Sequence, residues 1–349
     1  MNGFQDPRDQ DPREPELPRW IFLHALRVTI GRTPVWLVAA SFVALLALAQ
    51  ALPWLAWFDR AIGPGYGPGE LLVELHEDFR FDQRASKAAL DASTQGAGGA
   101  LALIAMLIGA FSAGGWLQVF LERTEGESVR KFFYGGARFF LRFVRVLVVT
   151  LAVLSLLRWV LHGRPWEWLV LETLCGLEKP DLELFESERH ARAVELAQAG
   201  LHALGFALVM AWADFTRTRL AFHGTRSAVW AGLCTAWAML RHPIRMLRPL
   251  ALLLAVESAV LAVGWLAVAQ LEGLLGPDST RWGVLALLAV TLGVHLGRTI
   301  VRGARYSACV LATRDVVRPL SRPDPWKRSI GGPGGPRYPI DGDEYTVSM

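Results

Sequence analysis

Four ionisable side chains stand inside or at the edge of otherwise apolar runs, and any intramembrane chemistry would have to use them. Glu257 lies near the centre of the 23-residue run Pro249–Leu271. A carboxylate in hydrocarbon needs a counter-charge, a proton or a water-filled cavity, so it is the first functional pointer in the chain. His202 belongs to the preceding apolar run, Asp214 stands at that run's end, and His295 belongs to the following one. Counted from the ends of their runs, His202 and Glu257 fall near mid-depth, where they can meet. Asp214 and His295 lie toward the other side and can form a second pair. A His–carboxylate pair moves protons; a packed histidine bonded to a neighbouring helix is the alternative for each ring. The different depths of His202 and His295 argue against a bis-His haem, and no cofactor or metal is expected. On a helix Asp214 and Arg217 are i, i+3 neighbours, placed to form an ordinary helix-end ion pair.

A second group of residues is basic. Arg138, Arg142 and Arg145 follow an i, i+4, i+7 spacing, which on a helix gathers them within about 60° of one another. Phe132, Phe139, Phe140, Phe143 and Val144 take the other side. Arg241, Arg245 and Arg248 repeat the spacing 103 residues later, after Trp230 and Trp237. Such a stripe suits anionic lipid headgroups. It is also what a helix end acquires when long basic side chains snorkel to an interface, as the same spacing in Arg298, Arg302 and Arg305 warns.

These residues are held by six apolar runs: Val35–Phe58, Gly96–Leu121, Phe139–Leu161, Ala193–Ala213, Pro249–Leu271 and Trp282–Ile300. Each is close to the roughly 20 residues that span a bilayer, and a backbone in hydrocarbon satisfies itself as helix. The fold class is therefore an all-α polytopic membrane domain over 17–318, with six transmembrane helices. Tails 1–16 and 319–349 are rich in Pro, Gly and charge and are expected to be disordered. The 52% hydrophobic composition and 14 tryptophans agree. Val35–Ala49 resembles a signal sequence, but the apolar run continues through Trp57, which predicts an uncleaved span.

Charge sets the orientation. Segments 1–34, 122–145, 214–248 and 298–349 hold 26 Lys/Arg, whereas 59–95, 158–195 and 272–281 hold 10 together with 17 Asp/Glu. Lys and Arg collect on the cytoplasmic side, which places both termini in the cytoplasm of a bacterial inner-membrane protein. The basic balance then points to anionic inner-leaflet lipid and not to nucleic acid. Cys175 falls outside and Cys234 and Cys309 inside, so no disulfide is expected.

Segments Trp20–Arg32, 130–145 and 225–248 read as amphipathic helices lying at the inner leaflet before each outgoing span. Arg32-Thr33-Pro34 resembles Arg241-His242-Pro243. Thr33-Pro34 and Arg248-Pro249 read as starts of the first and fifth spans. Together they suggest a three-fold helical-hairpin repeat over 17–121, 125–222 and 225–320. In the second span, Gly98/Ala102 and Ala105/Gly109/Ala113 predict close helix contact within the monomer, with homodimerisation the alternative.

Enzyme signatures are missing. There is no Gly-x-Ser-x-Gly elbow. His76-Glu77 lacks the second histidine of a zinc protease, and the Gly-rich stretch 331–336 lacks the Lys-Ser/Thr ending of a phosphate loop. No catalytic residue is assigned. The stretch Gly114-Gly115-Trp116, the segment from Phe132 to Arg145, Ala213-Asp214-Phe215-Thr216-Arg217 and Leu240-Arg241-His242-Pro243 carry a resemblance. They resemble a group of six-span bacterial membrane proteins with no assigned activity. More loosely, they resemble the membrane domain attached to some glycerophosphoryl diester phosphodiesterases, whose catalytic domain has no counterpart here. The resemblance implies the six-span fold and transfers no activity. Two function classes follow: a membrane scaffold or accessory protein that engages anionic lipid, a protein partner or a second copy; and a transporter or channel-like protein using Glu257, His202, Asp214 and His295.

Overall fold

Where no water is available, main-chain N–H and C=O groups must bond to one another, and every element among the described residues is accordingly helical. The computed structural model describes residues 20–61, 81–122, 127–175, 187–223, 227–274 and 280–316. The two tails, the Gly-rich stretch 331–336 and His76-Glu77 lie outside the described residues. The elements are α1 (Ile21–Ile30), α2 (Thr33–Ala61), α3 (Arg84–Leu121), α4 (Ser128–His162), a single turn α5 (Arg164–Trp166) leading into a π-helical segment (Glu167–Leu174), α6 (Glu188–His223), α7 (Ala228–Arg241), α8 (Pro243–Leu274) and α9 (Thr280–Val316). Among the described residues there is no strand. Six helical stretches are long and apolar enough to cross a membrane: Thr33–Ala61, Ala97–Leu121, Ser128–Leu174, Glu188–Phe222, Pro243–Leu271 and Trp282–Thr313. The protein is a multi-pass membrane protein. The first span is one helix through Ala61, as the continuous apolar run requires.

Proline decides where a short helix is set apart from the span behind it. α1 stops at Ile30, and the carbonyl of Arg32 accepts from the N–H groups of Val35 and Trp36 to start α2. Thr33 is therefore the first helical residue and Arg32 precedes the helix. α7 stops at Arg241, and α8 begins at Pro243. In both places a proline, which has no N–H to give, sits just inside the new helix. Two expectations change accordingly. Pro249 does not open the fifth span; it lies inside α8. Segment 130–145 is not a separate interfacial helix, because α4 runs unbroken from Ser128 to His162. No proline interrupts it, and its Gly135-Gly136 pair is used for packing.

That packing brings two main chains together. A Cβ on Gly135 would fall 2.2 Å from Cβ of Gln118 and 2.6 Å from the Gly114 carbonyl oxygen, and one on Gly114 would fall 2.7 Å from the Gly135 carbonyl oxygen. α3 and α4 thus cross backbone against backbone. The small residues expected to make this contact are only partly the ones that do, since Gly98 has no atom within 4 Å of its Cβ position.

The returning helices α3, α6 and α9 carry most of the core near their C-terminal ends. Trp116, Phe215 and Tyr306 are buried there, one on each helix. The segment entering each outgoing span packs on a returning helix: α4 on α3 and α7 on α6, each the helix just before it, and α1 on α9, the last helix of the chain. Ala25 of α1 joins Val301, Ala304 and Ala308 of α9 and Leu253 of α8 in one apolar cluster. The first described helix therefore sits beside the C-terminal half of the last span, so α1 and the C-terminal end of α9 share one end of the bundle. That end is called the termini end below, and the opposite one the distal end.

Candidate functional site

Asp214 is the centre of a buried ionic cluster between α6 and α9. It is 3% exposed. Its Oδ1 accepts from Nη1 of Arg217 at 2.9 Å, one turn along the same helix, and its Oδ2 accepts from Nη2 of Arg305 at 2.5 Å. The first contact is the i, i+3 pair legible in the sequence. The second crosses to another helix. Burying a carboxylate is tolerable when it is paired and hydrogen-bonded, and here each oxygen holds a guanidinium. Nε of buried Arg217 has no hydrogen-bond partner among the described residues. The cluster carries one more positive than negative charge.

Glu257 on α8 is also partnered. Its Oε1 faces Nε of Arg298 on α9 at 3.4 Å, with the Arg298 side chain 49% exposed. The distance is at the long limit of a hydrogen bond, so the contact is mainly coulombic. Counted from exposed Trp282 at the distal interface, Arg298 stands about 24 Å deep and Arg305 about 34 Å, against a hydrocarbon thickness of about 30 Å. A span of that thickness beginning at Trp282 ends between Arg298 and Arg305 on α9. The helices extend well past the charged residues that mark the apolar runs' ends, so these charges are less deep than hydropathy suggests.

The expected His–carboxylate pairs do not form. His202 meets His162 instead, with Nδ1 and Nε2 3.0 Å apart. One ring must donate and the other accept, the tautomers being unassigned. His295 makes no ring hydrogen bond to Asp214, whose oxygens are occupied by Arg217 and Arg305. His162 was not singled out by sequence, since it follows an apolar run like any helix-end residue. Arg298 and Arg305 were visible only as a stripe, and the structure turns both of them toward carboxylates. Arg302 points elsewhere, its Nη2 lying 3.0 Å from the Cβ position of Gly109 on α3.

The two other stripes face differently. Arg138 lies 5.9 Å from the ring centre of Tyr134 and 5.7 Å from that of Phe139. Arg142 is half-buried, and Arg145 is exposed. Arg241, Arg245 and Arg248 are all exposed, and Arg248 sits over Trp20 at 5.8 Å.

α7 joins the second stripe to a groove. Its small residues Ala228, Ala231, Gly232 and Thr235 are buried. Nε1 of Trp212 donates to the Gly232 carbonyl at 2.8 Å, and a Cβ on Gly232 would fall 2.6 Å from that indole. Ser227 caps the helix by accepting from the Trp230 N–H at 3.2 Å. The opposite face carries Trp230, Leu233, Trp237 and Arg241 at helical spacing, with Trp230 62% and Trp237 68% exposed. This face and Arg219 of α6 bound an open groove of about 460 Å³ that reaches His242. Nη1 of Arg219 donates to the Cys234 carbonyl at 3.4 Å, and no carboxylate pairs with Arg219 or Arg241 among the described residues. Sequence spacing found Arg241 but not Arg219, which comes from a different helix. Among the described residues no group of three or more His, Cys, Asp or Glu could hold a metal, and the cysteines are free. Comparison with protein families, with curated proteins and with solved structures finds no match to this chain.

Proposed function

We propose that the protein is a membrane scaffold or accessory protein of the bacterial inner membrane. Both termini lie in the cytoplasm, and the basic termini end engages anionic lipid, a partner protein or a second copy of the chain. The observation that supports this reading is the division of the arginines. Arg217, Arg305 and Arg298 are committed to Asp214 and Glu257 inside the helix bundle. Arg145, Arg241 and Arg248 are exposed on the surface, and Arg142 has no carboxylate partner among the described residues. Each basic residue near an anionic surface contributes about 1 kcal/mol of attraction. Replacing Arg138, Arg142 and Arg145 together with Gln should lower the ratio of anionic to zwitterionic lipid that co-purifies with the protein, read by mass spectrometry. An unchanged ratio contradicts a lipid role for that stripe.

The half-exposed Arg298 beside Glu257 favours a second reading, a transporter or channel-like protein in which this pair handles a proton or a cation. Glu257→Gln keeps the shape and removes the charge. A variant that folds normally but fails to restore growth or solute uptake in cells lacking the native copy supports transport. A folded, fully active variant removes Glu257 from any such role.

A further inference from the structure

We infer that the groove between α6 and α7 is a binding site for one anionic phospholipid, with Arg219 and Arg241 holding its headgroup phosphate. The inference rests on the reading that the termini end faces anionic lipid, and it names the site. Arg219 and Arg241 come from different helices and line one groove of about 460 Å³. Arg219 donates only to a main-chain carbonyl, and Arg241 makes no ion pair among the described residues. A phosphate supplies the missing acceptors, and a guanidinium fork matches its oxygens in paired, charge-assisted hydrogen bonds. His242 at the groove's end adds a further donor.

The same groove fits the rest of a lipid. Trp230 and Trp237 are seven residues apart on the exposed face of α7, about 10 Å along the helix. Indole rings partition to the level between headgroup and acyl chain. Arginines and indoles line the same groove, matching the polar and apolar parts of a phospholipid. A soluble phosphate would leave the indoles unused, and an acidic peptide would meet them at headgroup depth. Charge and apolar surface side by side therefore select a lipid.

The test uses the full-length protein in detergent, with phosphatidylglycerol, phosphatidylcholine and inorganic phosphate as separate additions. Binding is read by native mass spectrometry and by the rise in Tm. Phosphatidylglycerol should bind and stabilise, and the other two should not. Arg219→Gln/Arg241→Gln should weaken phosphatidylglycerol binding by roughly tenfold or more, as loss of two surface-proximal cations implies. The triple replacement at Arg138, Arg142 and Arg145 should leave this single site intact while lowering total anionic lipid. Arg241→Gln alone, at an exposed position, guards against loss of fold, and Arg241→Lys should restore part of the binding.

Cys234, in the groove wall, gives a second readout. In a Cys175→Ser background its alkylation should slow with phosphatidylglycerol and not with phosphatidylcholine. Wild-type binding of phosphatidylglycerol by the groove variant, with the general anionic preference intact, overturns the groove and spares the broader reading. Absence of any anionic preference in the wild-type protein overturns both. Equal binding of inorganic phosphate overturns the lipid as occupant.

Discussion

The two ends of the helix bundle are built on different terms. At the termini end, α3, α6 and α9 bury Trp116, Phe215 and Tyr306 and enclose the ion pairs of Asp214. Toward the distal end the same helices expose Leu103, Leu201, Leu204, Leu285 and Leu288. The difference follows from the solvent. Lipid tails are as apolar as leucine, so burying a leucine against another helix gains little there. Where the helices leave the hydrocarbon, apolar burial regains its value, and polar residues can be ordered against one another. The large buried side chains and the buried ion pairs therefore concentrate at the termini end, while the distal half leaves many of its leucines exposed.

The strongest test of this contrast is Asp214→Asn. The change leaves Arg217 and Arg305 without their counter-charge in a largely dry site. Breaking one member of a buried ion pair costs about 3–5 kcal/mol. The expected outcome is a large drop in Tm in detergent, or failure to obtain monodisperse protein. Replacing Asp214, Arg217 and Arg305 together with apolar residues of similar volume should recover much of that loss, since the cost lies in the stranded charge. A mild effect of Asp214→Asn would mean the cluster is solvated and the termini end is not the ordered half.

A second comparison uses one residue type in both regions. Gly135→Val places a side chain where the Gly114 carbonyl and Gln118 already stand, within 2.6 Å of each. Overpacking of this kind costs about 1–3 kcal/mol, and more where backbone blocks relaxation. Gly98→Val, in the part of α3 where nothing lies within 4 Å, should be neutral or slightly stabilising, because valine lowers the freedom of the unfolded chain. Thermal unfolding of the two variants side by side measures the difference. Equal effects would place a tight contact at Gly98 that only a partner or a second copy could supply.

What the sequence made legible divides along the same line. The six spans follow from hydropathy because it measures what the distal half and the middle of the bundle experience, transfer into lipid. It stops short at the termini end. α9 continues past Ile300 to Val316, and α6 continues past Ala213 to His223, because residues such as Arg305, Arg217 and Thr218 look like interface and are in fact helix–helix contact. Local spacing revealed Asp214–Arg217, which needs only one helix. It could not reveal Arg305 as the second donor, Arg298 as the partner of Glu257, or Arg219 opposite Arg241, since each pairing depends on how two helices are placed. The break before Pro243 and the continuity of α4 show a further limit. A proline's position alone does not say which proline breaks the chain, since Pro243 opens α8 within a segment expected to be one helix while Pro53 and Pro249 lie inside helices; a run of aromatic and basic residues likewise does not itself end a helix.

The smallest expected effect belongs to an exposed polar contact at the distal end, where Nε2 of Gln198 also donates to the Leu161 carbonyl at 2.6 Å and Nε1 of Trp57 to Oγ of Ser86 at 3.2 Å. His162 and His202 join α4 to α6 through a single hydrogen bond, which is exposed. Water competes for both rings, so the net value of such a bond falls at the bottom of the usual range, about 0.5 kcal/mol. Its removal strands no buried group, unlike loss of Asp214. His162→Gln should therefore shift Tm within the scatter of repeated measurements, and His162→Gln/His202→Gln should do no more than the sum of the singles. Additivity would show that the rings do not depend on each other. A loss comparable with that of Asp214→Asn would instead mean that the two histidines hold α4 against α6, and that the distal end has an ordered contact of its own on which the packing of the spans depends.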